Sequence, residues 1–150
     1  MKMIANLNKT VGGIIQLLQA LAKYRESTIR TSLDPAIPLS KFDHQQISQL
    51  LLNLLNNAVE AHPKATIELT TSFHPDTNSA LITLTDDGPG ICEELTKKMF
   101  HEKFSTKSDG HGYGLPICRK IIENHNGSIQ VRSKLGEGTT FLIRLPIEPI

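Results

Sequence analysis

Three polar residues spaced for one helix face are the first candidates for chemistry. Asn53, Asn57 and Glu60 are separated by four and three positions, so in a helix they form one row beside an apolar face. An amide oxygen is a neutral ligand suited to Mg²⁺, which keeps several waters and takes further oxygens from substrate phosphates. The row indicates either a metal–phosphate site or, with equal weight on this spacing alone, an ordinary solvated helix face.

A carboxylate followed by glycines stands at the end of a predicted strand. Residues 86–91 read Asp-Asp-Gly-Pro-Gly-Ile, so a carboxylate is followed by backbone with little side-chain bulk. A carboxylate accepts hydrogen bonds and does not pair with phosphate, so a purine amino group suits Asp86 better. Taken alone, the pattern Asp-x-Gly-x-Gly is more often a plain turn.

A second glycine pattern opens directly onto a predicted helix. Residues 110–114 read Gly-His-Gly-Tyr-Gly, and the helix begins at Leu115. A helix N-terminus presents free N–H groups and the positive end of its dipole to phosphate, and glycines allow close backbone approach. No Lys-Ser or Lys-Thr pair follows, so this is not a Walker loop, and the spacing does not match a dinucleotide-binding fingerprint. In isolation, a flexible loop is the more common explanation.

One capped helix should carry the polar row. Asp43 can cap its start, Gln46 occupies the position where a capping box places Glu or Gln, and Pro63 ends it. The apolar residues between these limits fall on one face, which predicts contact with the core. They are Ile47, Leu50, Leu51, Leu54, Leu55 and Ala58.

Short β-type runs and two further helices follow. Strands are predicted at 66–73, 80–85, 128–133 and 140–145, and helices at 93–100 and 115–125. This order predicts an α/β (α+β) two-layer sandwich, in which a mixed, mostly antiparallel sheet is covered by helices on one face.

A leading helix is expected before the main domain. Apolar residues between Ile4 and Leu21 recur at steps of three and four, although Gly12 and Gly13 weaken the helix. Turn formers and prolines follow. We therefore predict a leading helix in residues 1–26 and the main domain in residues 27–150.

Composition narrows the function classes. A chain of 150 residues with a formal charge of +1 is too balanced to indicate a nucleic-acid or membrane surface. Cys92 and Cys118 have no metal-site or disulfide spacing, so they are predicted to be buried thiols in a reducing cytoplasm. No apolar stretch approaches the length of a membrane span, although a longer parent protein could be membrane-anchored.

Five motifs follow one another in a characteristic order. They are Asn-Leu-x-x-Asn-Ala at 53–58, Asp-x-Gly-x-Gly at 86–90, Phe100 and Phe104 with Ser-Thr-Lys at 105–107, Gly-x-Gly-x-Gly-Leu at 110–115, and Gly-x-Gly-Thr-Thr-Phe at 136–141. Over about residues 27–146 the chain resembles the histidine-kinase ATPase domain of the GHKL superfamily. The resemblance implies a Bergerat-type fold that binds ATP and Mg²⁺, with an ATP lid between the second and third main helices.

The resemblance also implies a role for each matching residue. Asn57 corresponds to the Mg²⁺ ligand, Asn53 to its partner near the phosphates, and Asp86 to the adenine-binding carboxylate. Lys107 is expected to join both asparagines in catalysis, and Thr140 to contact adenine through water. The remaining expected nucleotide contacts are Glu60, Gly88, Gly90, Ile91, Phe104, Thr106, Gly110, His111, Gly112, Tyr113, Gly114 and Leu115.

The residue at position 53 bears on the type of reaction. Superfamily members that hydrolyse ATP or phosphorylate hydroxyl groups generally carry Glu there, because water and serine lose a proton as they attack. A neutral imidazole attacks through a free lone pair, so Asn53 favours transfer to histidine. Glu60 is the nearby carboxylate that could reverse this inference. The alternatives are an ATP-hydrolysing domain and a nucleotide-sensing interaction module without turnover.

The phosphate acceptor is expected on another domain. None of the six histidines lies in the His-acidic pattern followed by Pro that histidine kinases carry on a helical hairpin. The leading helix resembles the end of such a hairpin. The expected partners are therefore a phosphoacceptor hairpin in cis or in trans and a downstream response regulator, with a homodimer formed through the parent. Neither nucleic acid nor direct membrane contact is expected.

Overall fold

The computed structural model describes residues 1–91 and 114–148, without the side chains of Gly114 and Leu115. The helices are α1 (Leu7–Gln19), a short 3-10 helix (Ala22–Tyr24), α2 (His44–Ala61) and α3 (Gly114–Asn124). The strands are β1 (Met3–Ala5), β2 (Thr28–Ser32), β3 (Ser40–Phe42), β4 (Thr66–His74), β5 (Ser79–Asp86), β6 (Ser128–Ser133) and β7 (Thr139–Pro146). Across these ranges no helix combines the length and apolar character needed to cross a bilayer. The helix predicted at 93–100 lies outside the described residues.

Five of the strands form one mixed sheet in the order β2-β4-β5-β7-β6. β2 runs parallel to β4, and the other three pairs are antiparallel. β1 and β3 form a separate antiparallel pair. The predicted mixed, mostly antiparallel sheet is confirmed, and each predicted strand agrees with an observed one to within one residue at either end.

The helices cover one face of this sheet. Alternate residues of β5 and β7 are buried, including Ile82 and Leu84 on one strand and Phe141 and Ile143 on the other, and they belong to the same core as the helices. The apolar face predicted for α2 is buried as expected, from Ile47 to Ala58. The apolar strand face, with a period of two residues, and the apolar helix face, with a period of 3.6, therefore pack together in one core. This is the predicted two-layer arrangement.

The ends of α2 follow from the residues predicted to set them. The Asp43 side chain accepts a hydrogen bond from Gln46 N at 3.1 Å, which satisfies one of the free N–H groups of the first turn. At the other end His62 is extended, with φ −151° and ψ 93°. The ring of Pro63 excludes the helical conformation for the residue before it. Both limits of the helix that carries the polar row are therefore encoded locally.

The leading segment differs from its prediction at both ends. The helix starts at Leu7, where the Asn6 side chain accepts from Lys9 N at 3.3 Å, and it ends at Gln19. Met3–Ala5 instead pairs with Ser40–Phe42. Ile4 had been assigned to the helical stripe, but it is in β1 and 51% exposed. Pairing with a distant strand overrides the helical spacing of the apolar residues here. That spacing gives no indication of the pairing.

α1 packs into the core of the main domain. Its residues Leu7, Val11, Ile15 and Leu18 are at most 5% exposed, and they join the cluster formed by α2 and the sheet. The Asn8 side chain also accepts from Thr71 Oγ1 of β4 at 2.8 Å. The domain boundary at residues 26/27 stays a prediction.

His125 connects α3 to the start of α2. It is 6% exposed, its Nδ1 lies 2.9 Å from Ile121 O, and its Nε2 accepts from Asp43 N at 3.0 Å. Nδ1 therefore donates while Nε2 accepts, which fixes one neutral tautomer.

We expect His125→Ala to lower the free energy of unfolding by about 1–2 kcal/mol, because the partly buried Asp43 N–H loses its acceptor. Urea denaturation measures the change. His74→Ala, at an exposed position, is the control and is expected to cost less than about 0.5 kcal/mol. Equal losses in both variants would contradict the role given to His125.

Candidate functional site

The polar row lies on a half-buried face of α2. Asn53, Asn57 and Glu60 are all partly buried, and the Asn53 side chain accepts from Gln49 Nε2 at 2.7 Å. Burial raises the pKa of Cys118 on α3 to about 12, and a hydrogen bond with the Asn53 side chain opposes that rise. The Asn53 side chain therefore lies within reach of α3.

α2 and α3 are antiparallel neighbours. Cys118 Sγ lies 3.9 Å from the backbone oxygen of Leu50. Further along α3, His125 contacts Asp43 at the start of α2. Since four residues rise about 6 Å in a helix, the start of α3 at Gly114 lies near the level of Leu54, which falls between Asn53 and Asn57 along α2. The free N–H groups of the first turn of α3 are thus brought towards the end of α2 that carries the polar row.

Asp86 is a buried carboxylate at the end of β5. It is 8% exposed and lies on the sheet face that packs against the helices. Burial raises its pKa, opposed first by a hydrogen bond from Gly88 N, at 2.8 Å. The neighbouring Asp87 raises the pKa further, while His62 and the Thr139 N–H lower it. Within the described residues, the N–H groups of Gly88 and Thr139 offset part of the loss of solvent around this carboxylate.

The end of α2 lies beside this carboxylate. His62 Nε2 is 4.0 Å from Asp87 Oδ1, and Asp87 also accepts from Thr66 N at 2.8 Å. A Cβ placed on Gly88 would lie 3.6 Å from the His62 Cβ and 2.9 Å from Asp86 Oδ1. The surroundings of Asp86, called the Asp86 pocket below, therefore adjoin the C-terminal half of α2.

Two turns pack against each other to form the floor of the Asp86 pocket. Gly90 has φ +76°, and a Cβ there would lie 2.0 Å from Lys134 O. Gly138 has φ +80°, and a Cβ there would lie 2.1 Å from Asp86 O. The two turns are also joined by a hydrogen bond of 2.8 Å from Gly136 N to Pro89 O. Glycine is required at both contacts because only hydrogen fits at this distance and L-residues rarely adopt this φ.

Ile91 follows the same turn and is tied to the sheet. Its N–H donates to Ser133 Oγ at 2.7 Å, and that hydroxyl donates to Gly138 O at 2.9 Å. The Ile91 side chain is partly buried against the core. Of the predicted nucleotide contacts, Gly88 touches Asp86 directly, whereas Gly90 and Ile91 contact the end of β6 and the turn after it.

Thr140 does not lie in this pocket. It pairs with Thr85, and their hydroxyls are 3.1 Å apart on the sheet face away from the helices. The structure instead pairs Asp86 with Thr139, which is 6% exposed on the helix side and donates its N–H to the Asp86 carboxylate. The register therefore places Thr139, and not Thr140, next to Asp86, while the nucleotide contact predicted for Thr140 stays a prediction. The two adjacent threonines could be told apart only from the register of β5 with β7.

Glu60 is held by the segment before β2. Its Oε2 accepts from Lys23 Nζ at 3.1 Å, while the Tyr24 hydroxyl donates to Asn56 Oδ1 on the same helix. Burial and then the charge of Glu60 raise the pKa of Tyr24 to about 12. Sequence reasoning missed Lys23 and Tyr24, because nothing in their spacing links them to α2.

The predicted lid residues lie outside the described part of the chain. They are Phe100, Phe104, Thr106, Lys107, Gly110, His111, Gly112 and Tyr113. Gly114 is the first residue of α3.

The fold resembles solved kinase domains. The catalytic domain of histidine kinase ThkA matches with a TM-score of 0.85 and 30% identity, covering 99% of this chain and 97% of that chain. ThkA in complex with the response regulator protein TrrA matches with a TM-score of 0.81 and 27% identity, covering 99% of this chain and 42% of that one. The five-stranded sheet with three helices therefore has the architecture of a histidine kinase catalytic domain.

Sequence comparison gives the same class. The sensor histidine kinase ZraS of Salmonella typhi is 34% identical over 142 residues, which cover 95% of this chain and 30% of ZraS. The sensory histidine kinase/phosphatase NtrB of Vibrio alginolyticus is 35% identical, over 95% of this chain and 43% of NtrB. The chain thus spans less than half the length of these curated relatives. Residues 42–149 match the Histidine kinase-, DNA gyrase B-, and HSP90-like ATPase family, and the chain belongs to that family.

Proposed function

We propose that this chain binds Mg-ATP and transfers the γ-phosphoryl group to a histidine on a separate phosphoacceptor hairpin. The observation that carries the proposal is the position of the buried Asp86 carboxylate. It lies beside the end of α2, whose preceding turns carry Asn53 and Asn57 next to the start of α3. A base acceptor and a phosphate-binding helix end are thus combined along one side of α2.

At the base end, Asp86 would accept a hydrogen bond from the adenine amino group. The carboxylate is buried and receives backbone donors from Gly88 and Thr139, so an added donor relieves part of its desolvation. Gly88 lies close to Asp86 Oδ1 and has no side chain, so no bulky group blocks that side of the carboxylate. A guanine, with an oxygen in place of that amino group, would place an acceptor against an acceptor.

At the phosphate end, Asn57 and the first turn of α3 would contact the triphosphate. One amide oxygen fits Mg²⁺ because that ion is commonly held by a single protein group together with phosphate oxygens and water. When bound, Mg²⁺ would neutralise charge on the β- and γ-phosphates. The first-turn N–H groups of α3 would contribute the positive end of a helix dipole.

Transfer is favoured over hydrolysis because the row offers no free carboxylate base. Asn53 cannot take a proton, and Glu60 is engaged by Lys23. ThkA has been solved with a response regulator protein, which supports a response regulator as the later acceptor here.

The direct test is Asn57→Ala. We expect Mg-dependent ATP affinity to fall at least about tenfold and transfer to an added hairpin domain to be lost, because the metal loses its protein ligand. Calorimetry with Mg²⁺ and with a chelator separates metal-dependent from metal-independent binding. Gln45→Ala, at an exposed amide of the same helix, is the control. Unchanged affinity and transfer in Asn57→Ala would overturn the assignment, and steady phosphate release without transfer would instead indicate a hydrolase.

The two adjacent threonines give a matched pair of variants. We expect Thr139→Val to weaken ATP binding about three- to tenfold, since its hydroxyl lies on the Asp86 side of the sheet and bonds Ser133 Oγ at 2.8 Å. Thr140→Val should change the affinity less than about twofold, because its side chain is on the opposite face. Fluorescence competition with a labelled nucleotide measures both. The reverse order of effects would favour Thr140 as the nucleotide contact.

A further inference from the structure

The short 3-10 helix Ala22–Tyr24 contacts the polar face of α2 that precedes the Asp86 pocket. Lys23 Nζ lies 3.1 Å from Glu60 Oε2, and the Tyr24 hydroxyl donates to Asn56 Oδ1. Two consecutive residues of this helix thus bind two residues of α2 that are one turn apart. The contact joins the segment before β2 to the helix that carries Asn57.

The Lys23–Glu60 pair is better shielded than an ordinary surface ion pair. The Glu60 side chain is 15% exposed, whereas that of Lys23 is 42% exposed. Beside it, Tyr24 is 3% exposed, and Glu60 contributes to the raised pKa of that phenol. Burial on the carboxylate side reduces screening by water and salt, so the charge of Glu60 acts on its surroundings unless a cation balances it.

Glu60 lies between the two ends of the proposed nucleotide site. It follows Asn57 by one helical turn and precedes His62, which adjoins Gly88. A triphosphate that extends from Asp86 towards Asn57 would pass within about 10 Å of this carboxylate. An uncompensated negative charge there would repel the phosphates and leave the base unaffected.

We propose that Lys23 is a positioning residue for polyphosphate binding, which pairs with Glu60 and cancels its charge beside the phosphates. The inference rests on the proposed function and assigns a role to a residue that precedes the part of the chain matched by the family, residues 42–149. Lys23 itself does not contact the nucleotide; it acts through Glu60. Nucleotide affinity thereby becomes sensitive to the position of the segment that leads into the domain.

The test compares ligands that differ only in phosphate. We expect Lys23→Met to weaken Mg-ATP binding about fivefold while leaving adenosine binding within about twofold of wild type. Lys23→Arg should restore Mg-ATP affinity, because a guanidinium also pairs with a carboxylate. Lys9→Met, which removes an exposed charge on α1, is the control for net charge. Thermal unfolding of each ligand-free variant measures any loss of fold.

A double-mutant cycle distinguishes charge compensation from a structural role. In a Glu60→Gln background, the Lys23→Met change should cause no further loss of Mg-ATP affinity. Equal weakening of Mg-ATP and adenosine by Lys23→Met, or the same loss with and without Glu60, would overturn the inference. If the wild-type chain binds no ATP at all, it is the proposed function that fails; if it binds ATP and Lys23→Met matches it, only the role of Lys23 fails.

Discussion

Asp86→Asn is expected to weaken ATP binding about 100-fold, the largest loss of affinity that a change of one atom type should cause in this domain. The carboxylate has two oxygens to share among the N–H of Gly88, the N–H of Thr139 and the adenine amino group. The amide has one oxygen and brings an NH₂ donor of its own into the same pocket. Three donors would then compete for a single acceptor.

Calorimetric titration with ATP checks the prediction, with thermal unfolding as a measure of the fold. Asp87→Asn is the matched control, because this neighbouring carboxylate is 55% exposed, accepts a hydrogen bond from Thr66 N and lies 4.0 Å from His62 Nε2. Its affinity for ATP should stay within about threefold of wild type. Similar losses in both variants would show that the turn as a whole, rather than the buried carboxylate, sets the affinity.

The pH dependence of ATP binding follows from the same residue. Since the folded-state pKa of Asp86 is raised, its ionised form is lost at a higher pH than for an ordinary aspartate. Asp34 behaves oppositely, because hydrogen bonds from Ala36 N and Phe73 N lower its pKa. Its contribution to stability is therefore complete above the ordinary pKa of aspartate and is lost as the pH falls through the lowered pKa. As the pH is lowered, ATP affinity should therefore decrease before the domain unfolds. In Asp86→Asn this pH-dependent decrease of affinity should be absent.

Gly138→Ala is expected to lower the free energy of unfolding by at least about 3 kcal/mol and to abolish ATP binding. The added Cβ would lie 2.1 Å from Asp86 O and 3.2 Å from Asp87 Cα, both backbone atoms of the pocket floor. Neither can move without separating β5 from β7. The positive φ of +80° adds a conformational cost.

Gly136→Ala is the control for that change. It has a similar φ of +83°, but a Cβ there meets nothing within 4 Å. It should cost only the conformational term of about 1–2 kcal/mol, with ATP binding retained. Urea denaturation of the two variants measures the difference, which isolates the effect of the close approach. Equal destabilisation would mean that the turn conformation, and not contact with Asp86, makes Gly138 necessary.

The fold was largely predictable because its signals are local. Asp43, Gln46 and Pro63 mark the limits of α2, and β-type runs mark four of the five strands of the main sheet, whereas β2 was not predicted. The pairing of β1 with β3 was not predictable, since it joins segments 37 residues apart through backbone hydrogen bonds that leave no period in the sequence.

That Asp86 and Gly88 lie together was predictable, because a residue type and a motif coincide there. Which threonine lies beside Asp86 was not predictable, because Thr139 and Thr140 are alike in type and a shift of one residue exchanges the two sheet faces. Lys23 was missed for a related reason, because its partner Glu60 is distant in sequence and their contact depends on how α1 packs.

The strand that completes the pocket follows every other strand of its sheet in the sequence, yet it lies between β5 and β6. While the chain is being synthesised, β5 has no partner on that side until Thr139–Pro146 has emerged, and β6 has none at all. The free edges of β5 and β6 would therefore stay exposed in the nascent chain until β7 is available, and the Asp86 pocket would form only after β7 inserts. The domain would then bind nucleotide only once its folding is complete, and not when folding begins.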